Sequence, residues 1–282
     1  MNKLSMDKKV SVISALVERC SVRSTSRLTG VAKGTILRLL AEVGQACADY
    51  QNAALRNIPA KRVQIDEIWS FVGCKEKNVT LEKMEAGICG DAWTFVAIEA
   101  QTKLVISWLV GRRDAGCATE FLQDVQRRVS NRIQLTTDGH RMYLNAVADT
   151  FTDQIDYAML IKVYGNEPEG QKRYSPAQCL GATKQAIFGN PDPAHISTSY
   201  VERQNLTMRM NMRRFTRLTN AFSKKIDNHM HMVALFYMHY NFVRIHKSLR
   251  VTPAMEAGIS QRVWSIHEIV SLAGSQLLET AA

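Results

Sequence analysis

Three carboxylates in this chain have surroundings that suit metal-assisted chemistry: Asp66, Asp138 and Glu202. Asp66 lies within RVQIDEIWSFV (Arg62–Val72), a run rich in β-branched and aromatic residues that reads as a strand. Asp138 follows IQLTT and precedes Gly139, so it projects from a strand end, where open α/β sheets place their sites. Singly, each also has an ordinary reading, Asp66 as a strand residue facing water and Asp138-Gly139 as a turn dipeptide. Glu202 says more through its helix. At ~100° per residue, Arg209 and Arg213 each fall within about 20° of Glu202, with Asn205 and Arg217 about 60° to either side. Val201, Met208, Met212 and Phe215 form the opposing apolar stripe. Between Tyr200 and Lys225 stand seven basic residues (Arg203, Arg209, Arg213, Arg214, Arg217, Lys224, Lys225) against Glu202 alone. A solvated helix face usually mixes both signs, so this one-sided charge suits a phosphate backbone. Three such carboxylates suit two Mg2+ ions, which take hard oxygen ligands. One ion then activates an attacking oxygen while the other stabilises a leaving 3′-oxygen, with no covalent protein nucleophile.

The charge of the whole chain agrees with that chemistry. Its 282 residues carry 36 Lys/Arg against 26 Asp/Glu, a net of +10, which favours a polyanionic partner such as nucleic acid. Residues 1–60 hold nine basic against four acidic groups, residues 61–160 twelve against fourteen, and residues 161–282 fifteen against eight. A slightly acidic middle between basic flanks fits a carboxylate site set between DNA-gripping surfaces. The six cysteines form no CxxC pair and lack zinc-ligand spacing, so they read as reduced thiols, mostly in the core. The first twenty residues lack a continuous apolar core, and the longest apolar run, near Met232–Phe242, is too short to span a bilayer. The expectation is a cytoplasmic, nucleoid-associated protein with no membrane partner and no small-molecule substrate.

Two kinds of element must position these groups. The first fifty residues read as helices: one with Val10, Ile13, Leu16 and Val17 at helical spacing, a short one over Val22–Leu28, and a third from about Lys33. Gly30 supplies the turn between the last two. A short helix, a glycine turn and a helix with a basic start form the helix-turn-helix pattern, whose second helix enters the major groove. Arg23, Lys33, Thr35 and Arg38 are its expected DNA contacts. Residues 51–60 read as a linker, with Pro59 barring helix. Strands are then expected at Arg62–Val72, Ala92–Ala100, Leu104–Val110, Ile133–Thr137 and Ile155–Val163, with helices at Thr119–Val129 and Arg141–Ala148. Three strands followed by helix, strand, helix, strand is the order of a ribonuclease-H-like α/β core, a mixed sheet flanked by helices. We take residues 61–250 as that catalytic domain, preceded by an all-α helix-turn-helix domain (1–50) and followed by a C-terminal helical tail (251–282). Residues 164–198, rich in Gly, Pro, Asn and Lys, read as a partly irregular insertion.

At these carboxylates the sequence resembles the bacterial insertion-sequence-one transposases, within the DDE superfamily. The matching stretches are DEIWSFVG (Asp66–Gly73), TTDGH (Thr136–His140) and VERQNLTMRMNMRRFTRLTNAFSKK (Val201–Lys225). The last is the most specific, and the resemblance spans most of residues 61–250. It implies a divalent metal (Mg2+, with Mn2+ able to substitute) and cleavage and strand transfer of double-stranded DNA at terminal inverted repeats. Pairing two ends implies a homo-oligomer on DNA. The acidic triad falls on Asp66, Asp138 and Glu202, and Asn205 and Arg209 match positions that follow the family's glutamate and are taken here as DNA contacts. This chain departs from the best-known members in lacking N-terminal zinc-binding cysteines. It also spaces Asp138 and Glu202 64 positions apart and inserts Lys77–Gly90. The tail Tyr240–Gly258 resembles the segment closing many integrase-type cores, and its Arg244, His246 and Lys247 serve either DNA contact or solvated packing. A catalytically silent helix-turn-helix regulator and a ribonuclease-H-like nuclease without joining activity are the competing readings.

Overall fold

The structure, a computed structural model, describes residues 4–80, 82, 89–152, 154–165, 178–216 and 219–279. Three helices open the chain: α1 (Met6–Val17), α2 (Val22–Thr29) and α3 (Lys33–Ala54). Ser5 and Ser21 cap the first two, each side chain accepting from a backbone N–H of the first turn. Gly30 closes α2 at φ 71, a left-handed conformation that glycine adopts without a Cβ clash. The short α2, this turn and α3 reproduce the expected succession of elements.

Helix α3 runs four residues into the segment expected as a linker, because Pro59 excludes helix only near itself. Its inner face packs on α7 (Ile226–Met238). Gln51 is buried there and donates to the Ala234 carbonyl at 3.1 Å. The two helices approach so closely at Gly44 that an added Cβ would lie 2.6 Å from the His231 Cβ. The N-terminal helices therefore share one apolar core with the sheet, since Leu40, Val43, Leu235 and Phe95 belong to the same buried cluster.

Six strands among the described residues make one mixed sheet: β1 (Arg62–Val72), β2 (Gly90–Glu99), β3 (Val105–Gly111), β4 (Ile133–Asp138), β5 (Ile155–Tyr164) and β6 (Cys179–Phe188). Their spatial order is β3-β2-β1-β4-β5-β6. Strands β1, β2 and β3 pair antiparallel, β1–β4 and β4–β5 parallel, and β6 runs antiparallel along β5. Helices α4 (Ala115–Arg128) and α5 (Met142–Phe151) connect these strands, and a mixed sheet flanked by helices is consistent with the ribonuclease-H-like core expected from the sequence. Strand β6 is the principal departure. It lies inside the segment expected to be irregular, and its residues are exposed over most of its length, so no burial alternation marks it.

Strand β1 is the axis of the molecule because its two faces meet different helices, as alternating side chains require. On one face Glu67 meets Tyr143 of α5. On the other, Gln64 meets α6 (Ser199–Asn211) and Ser70 meets His229 of α7. Helix α6 has no side-chain cap of its own. The Gln64 Oε1 does that work, accepting from the N–H groups of Tyr200 at 2.8 Å and Val201 at 3.2 Å. The chain continues through a π-turn at His239–Val243, a one-turn helix α8 (Pro253–Glu256) and α9 (Ile266–Glu279). Among the described residues no helix is long and apolar enough to cross a membrane.

Substituting Gln64→Leu removes the one acceptor that serves both the Tyr200 and Val201 N–H groups at the start of α6. We expect a loss of about 1–2 kcal/mol in chemical denaturation, comparable to deleting a helix cap, with Gln64→Glu keeping most of the stability.

Candidate active site

The site begins with the seam between β1 and β4. Their register pairs Gln64 with Thr136, so two residues further along Asp138 comes beside Asp66. Strand β4 stops at Asp138, leaving the edge of β1 open beyond it. One oxygen from each of Asp66, Asp138 and Glu67 lies within 4.8 Å of the others. Asp66 and Asp138, separated by 72 positions in sequence, are thus brought together as expected. Glu67 is the member that sequence reasoning missed. Strand alternation assigns it to the opposite face from Asp66, yet both carboxylates reach one point beside the end of β4.

Burial and like charge make this cluster uncomfortable. Desolvation first, then the charges of Glu67 and Asp138, push the Asp66 carboxyl up to about 7. Glu67 is also raised, by burial and then by Asp138. Its two oxygens are both engaged: Oε1 accepts from Arg113 Nε at 2.6 Å and Oε2 from the Tyr143 hydroxyl at 3.0 Å. Arg113 also faces Asp138 Oδ2 at 3.7 Å and stacks over the Trp93 ring at 4.6 Å. Asp138 Oδ1 accepts from the His140 N–H at 3.0 Å, which fixes the turn after β4.

Helix α6 delivers the remaining groups. Glu202 sits in its first turn, where an anion is favoured by the helix dipole. Its Oε1 accepts from the Thr198 hydroxyl and meets the Lys162 ammonium of β5, each at 2.5 Å. Lys162 also feels the Asp66 charge, so this one cation lies within the field of two of the expected triad residues. One turn after Glu202, Asn205 Nδ2 donates to Asp66 Oδ2 at 2.8 Å. Asn205 was expected to reach DNA. It is 4% exposed and acts instead on the Asp66 carboxylate, because this side of α6 lies against β1.

The basic residues expected to grip DNA divide into several groups. Arg203 is exposed on α6, and Arg209 is half-buried on it. The helix ends at Asn211 because Met212 turns extended, so Arg213 and Arg214 occupy a separate 3-10 turn rather than the helix face with Glu202. Arg214 is turned inward, its guanidinium donating to Ser223 Oγ at 3.0 Å, and burial lowers its pKa to about 10. Arg217 lies outside the described residues. Lys224 and Lys225 are exposed before α7, and Arg23, Lys33 and Arg38 are exposed on the N-terminal helices with Thr35 half-buried beside them. Of the cysteines expected mostly in the core, only Cys47 is buried; the other five lie at partly or fully exposed positions.

No protein-family model and no curated protein matches the chain. Among solved structures it is similar to the piggyBac transposase in a synaptic complex with hairpin DNA. That similarity has a TM-score of 0.38 and 10% identity, and it covers 99% of this chain and 73% of that one. It is also similar to the Mos1 strand transfer complex, with a TM-score of 0.23 and 14% identity, over 54% of this chain and 57% of that one. At these values neither likeness bears on what the chain does.

The carboxylate cluster carries a measurable cost. A folded-state pKa raised above the unfolded value stabilises the fold below the unfolded pKa and loses that contribution as pH rises through the folded one. In EDTA, the protein is therefore expected to melt at lower temperature at about pH 8 than at about pH 5, with Asp66→Asn removing most of that difference. Differential scanning calorimetry of the two proteins at both pH values reads this directly.

Proposed function

We propose that this chain is a DDE-type DNA transposase related to the insertion-sequence-one enzymes, cutting DNA and joining the freed 3′ end at Asp66, Asp138 and Glu202. The observation that carries the reading is the meeting of Asp66 and Asp138 at the open edge of β1, with α6 fastened to Asp66 through Asn205 one turn from Glu202. The motif resemblance of the three stretches around these residues supports it.

A divalent metal fits this cluster. Its donors are all hard carboxylate oxygens, and a bound cation would offset the burial and the like charges of Glu67 and Asp138 that raise Asp66. Asp66 and Asp138 would hold it, Mg2+ by preference and Mn2+ as a substitute. When bound, such ions lower the pKa of an attacking hydroxyl or water and stabilise the leaving 3′-oxygen. The chain's own residues do the rest. Asn205 fixes the rotamer of Asp66 by its hydrogen bond, and Gln64 holds the helix that carries Asn205 and Glu202. Glu202, which pairs with Lys162 and lies outside the Asp66–Glu67–Asp138 cluster, would serve as the third ligand on leaving that pair, and Lys162 would then be free to meet a DNA phosphate. Glu67 remains a structural acid, since Arg113 and Tyr143 already take both its oxygens. The helix-turn-helix would read the terminal repeats, and two copies of the chain would pair the ends.

Nicking and end-joining assays on a duplex bearing the element's terminal inverted repeats separate the roles. Asp66→Asn, Asp138→Asn and Glu202→Gln should each reduce Mg2+-dependent cleavage more than about a hundredfold, beyond the usual cost of losing a group that merely supports a ligand. Glu202→Gln should keep stability within about 1 kcal/mol, as its Lys162 pair is partly solvated. Glu67→Gln should unfold more easily by about 1–3 kcal/mol yet still cut where it is folded. Cleavage that survives Glu202→Gln and disappears in folded Glu67→Gln would move the third ligand to Glu67. A protein that binds the ends but fails to cut them whichever divalent metal is supplied is the silent regulator, and cutting without joining marks the nuclease.

Binding should also weaken with salt. Replacing Arg203 or Lys224 by Ala is expected to reduce the slope of log affinity against log salt by about one for each lost phosphate contact. Titration at several salt concentrations measures that slope.

A further inference from the structure

A second feature lies at the other end of β1. Beyond Val72, a bridge to Ser223 and a 2.8 Å bond from the Gly73 N–H to the Ser223 carbonyl fasten the segment after α6 to the strand. Ser223 is locked further by a chain of hydrogen bonds: Arg214 donates to its Oγ, its hydroxyl meets His229 Nδ1 at 2.8 Å, and His229 Nε2 meets Ser70 Oγ at 3.3 Å. This rigid segment faces the helix-turn-helix, and between them lies a cleft of about 590 Å³.

The lining of that cleft has a definite chemistry. Arg23 and Lys33 reach it from the N-terminal helices, Arg213 and Lys224 from the opposite wall, and no acidic residue among the described residues lines it. Phe222 supplies an aromatic wall, with its ring held by Phe71 at 4.6 Å and by the Lys224 ammonium at 3.2 Å. Asn228 adds an amide able both to donate and to accept. A volume of this order suits a ligand of one or two nucleotide units and is far too small for a duplex. Cations alone describe a phosphate site, whereas cations with an aromatic face and an amide describe a site for an unpaired base on its backbone.

We propose that this cleft binds a short unpaired segment of single-stranded DNA. Residues of both the helix-turn-helix and the α6–α7 connection contribute, so the N-terminal helices and the catalytic half grip one strand together. From Asp66 to Val72 a strand rises about 20 Å, which places the bound nucleotides about that far from the carboxylate cluster. The proposal needs neither a metal nor an active carboxylate site. It stands or falls separately from the transposase reading.

The test is fluorescence anisotropy of a labelled oligothymidylate about eight nucleotides long, titrated with the full chain in EDTA; OB-type sites engage ~4–16 nucleotides. Lys33→Glu and Arg213→Glu should each weaken binding about tenfold, while Arg127→Glu, on the exposed face of α4, leaves it unchanged. Phe222→Ala should weaken the oligonucleotide about tenfold and leave inorganic tripolyphosphate competition unaltered, because only the base needs the ring. Circular dichroism checks that each variant is folded, and Phe222→Tyr, which keeps the ring, should restore binding. Tripolyphosphate competing as well as the oligonucleotide would reduce the cleft to an anion site and overturn the proposal. Tighter binding of a duplex of equal length, or indifference to all three cleft substitutions, would overturn it too.

Discussion

One carboxylate oxygen each of Asp66, Glu67 and Asp138 lies within 4.8 Å of the others, and holding these half-buried and buried like charges together is the constraint on which the site depends. Arg113 pairs with Glu67 and also faces Asp138, Lys162 pairs with Glu202, and the side-chain hydrogen bond that Asp66 accepts among the described residues comes from the neutral amide of Asn205. The result is an anionic centre with its walls neutralised. Such an arrangement favours a small divalent cation over a protein side chain, because hard oxygens already converge on one point.

Holding that geometry takes tertiary structure rather than local preference. Asp66 and Asp138 meet because β1 and β4 run parallel in one register, and Glu67 joins them beside the end of β4. Helix α6 reaches the cluster only because a glutamine on β1 caps it. Gln64, Asp66 and Ser70 occupy one face of the same strand and bind three different places: the start of α6, Asn205 within it, and His229 of α7. Strand β1 therefore sets the carboxylates and the distant cleft in a single frame.

The sequence made the strands around Asp66 and Asp138 legible because their apolar runs have clear ends and turn residues. The helix after Tyr200 was legible in its start and its buried stripe, but not in its length. Met212 and Phe215 continue the helical spacing and are buried, yet they belong to the extended residue and tight turn that follow Asn211. Periodicity reports burial, and burial continued after the helix had stopped. Strand β6 was hidden for the opposite reason, since exposed residues along CLGATKQAIF leave no alternation to read. Pairings across the fold, such as Asn205 with Asp66 or Lys162 with Glu202, have no signature in a single sequence. A lysine near the end of a mostly apolar strand, as at IKVY, was the only hint of the second.

The account rests on a divalent ion binding at the β1–β4 seam, and diffraction from crystals soaked in Mn2+ tests it most directly. It predicts an anomalous peak about 2.0–2.2 Å from oxygens of both Asp66 and Asp138, with Glu202 turned towards it and Lys162 withdrawn. Strong anomalous peaks elsewhere with none at this seam, or a seam ion held by Glu67 with the Lys162–Glu202 pair intact, would contradict it.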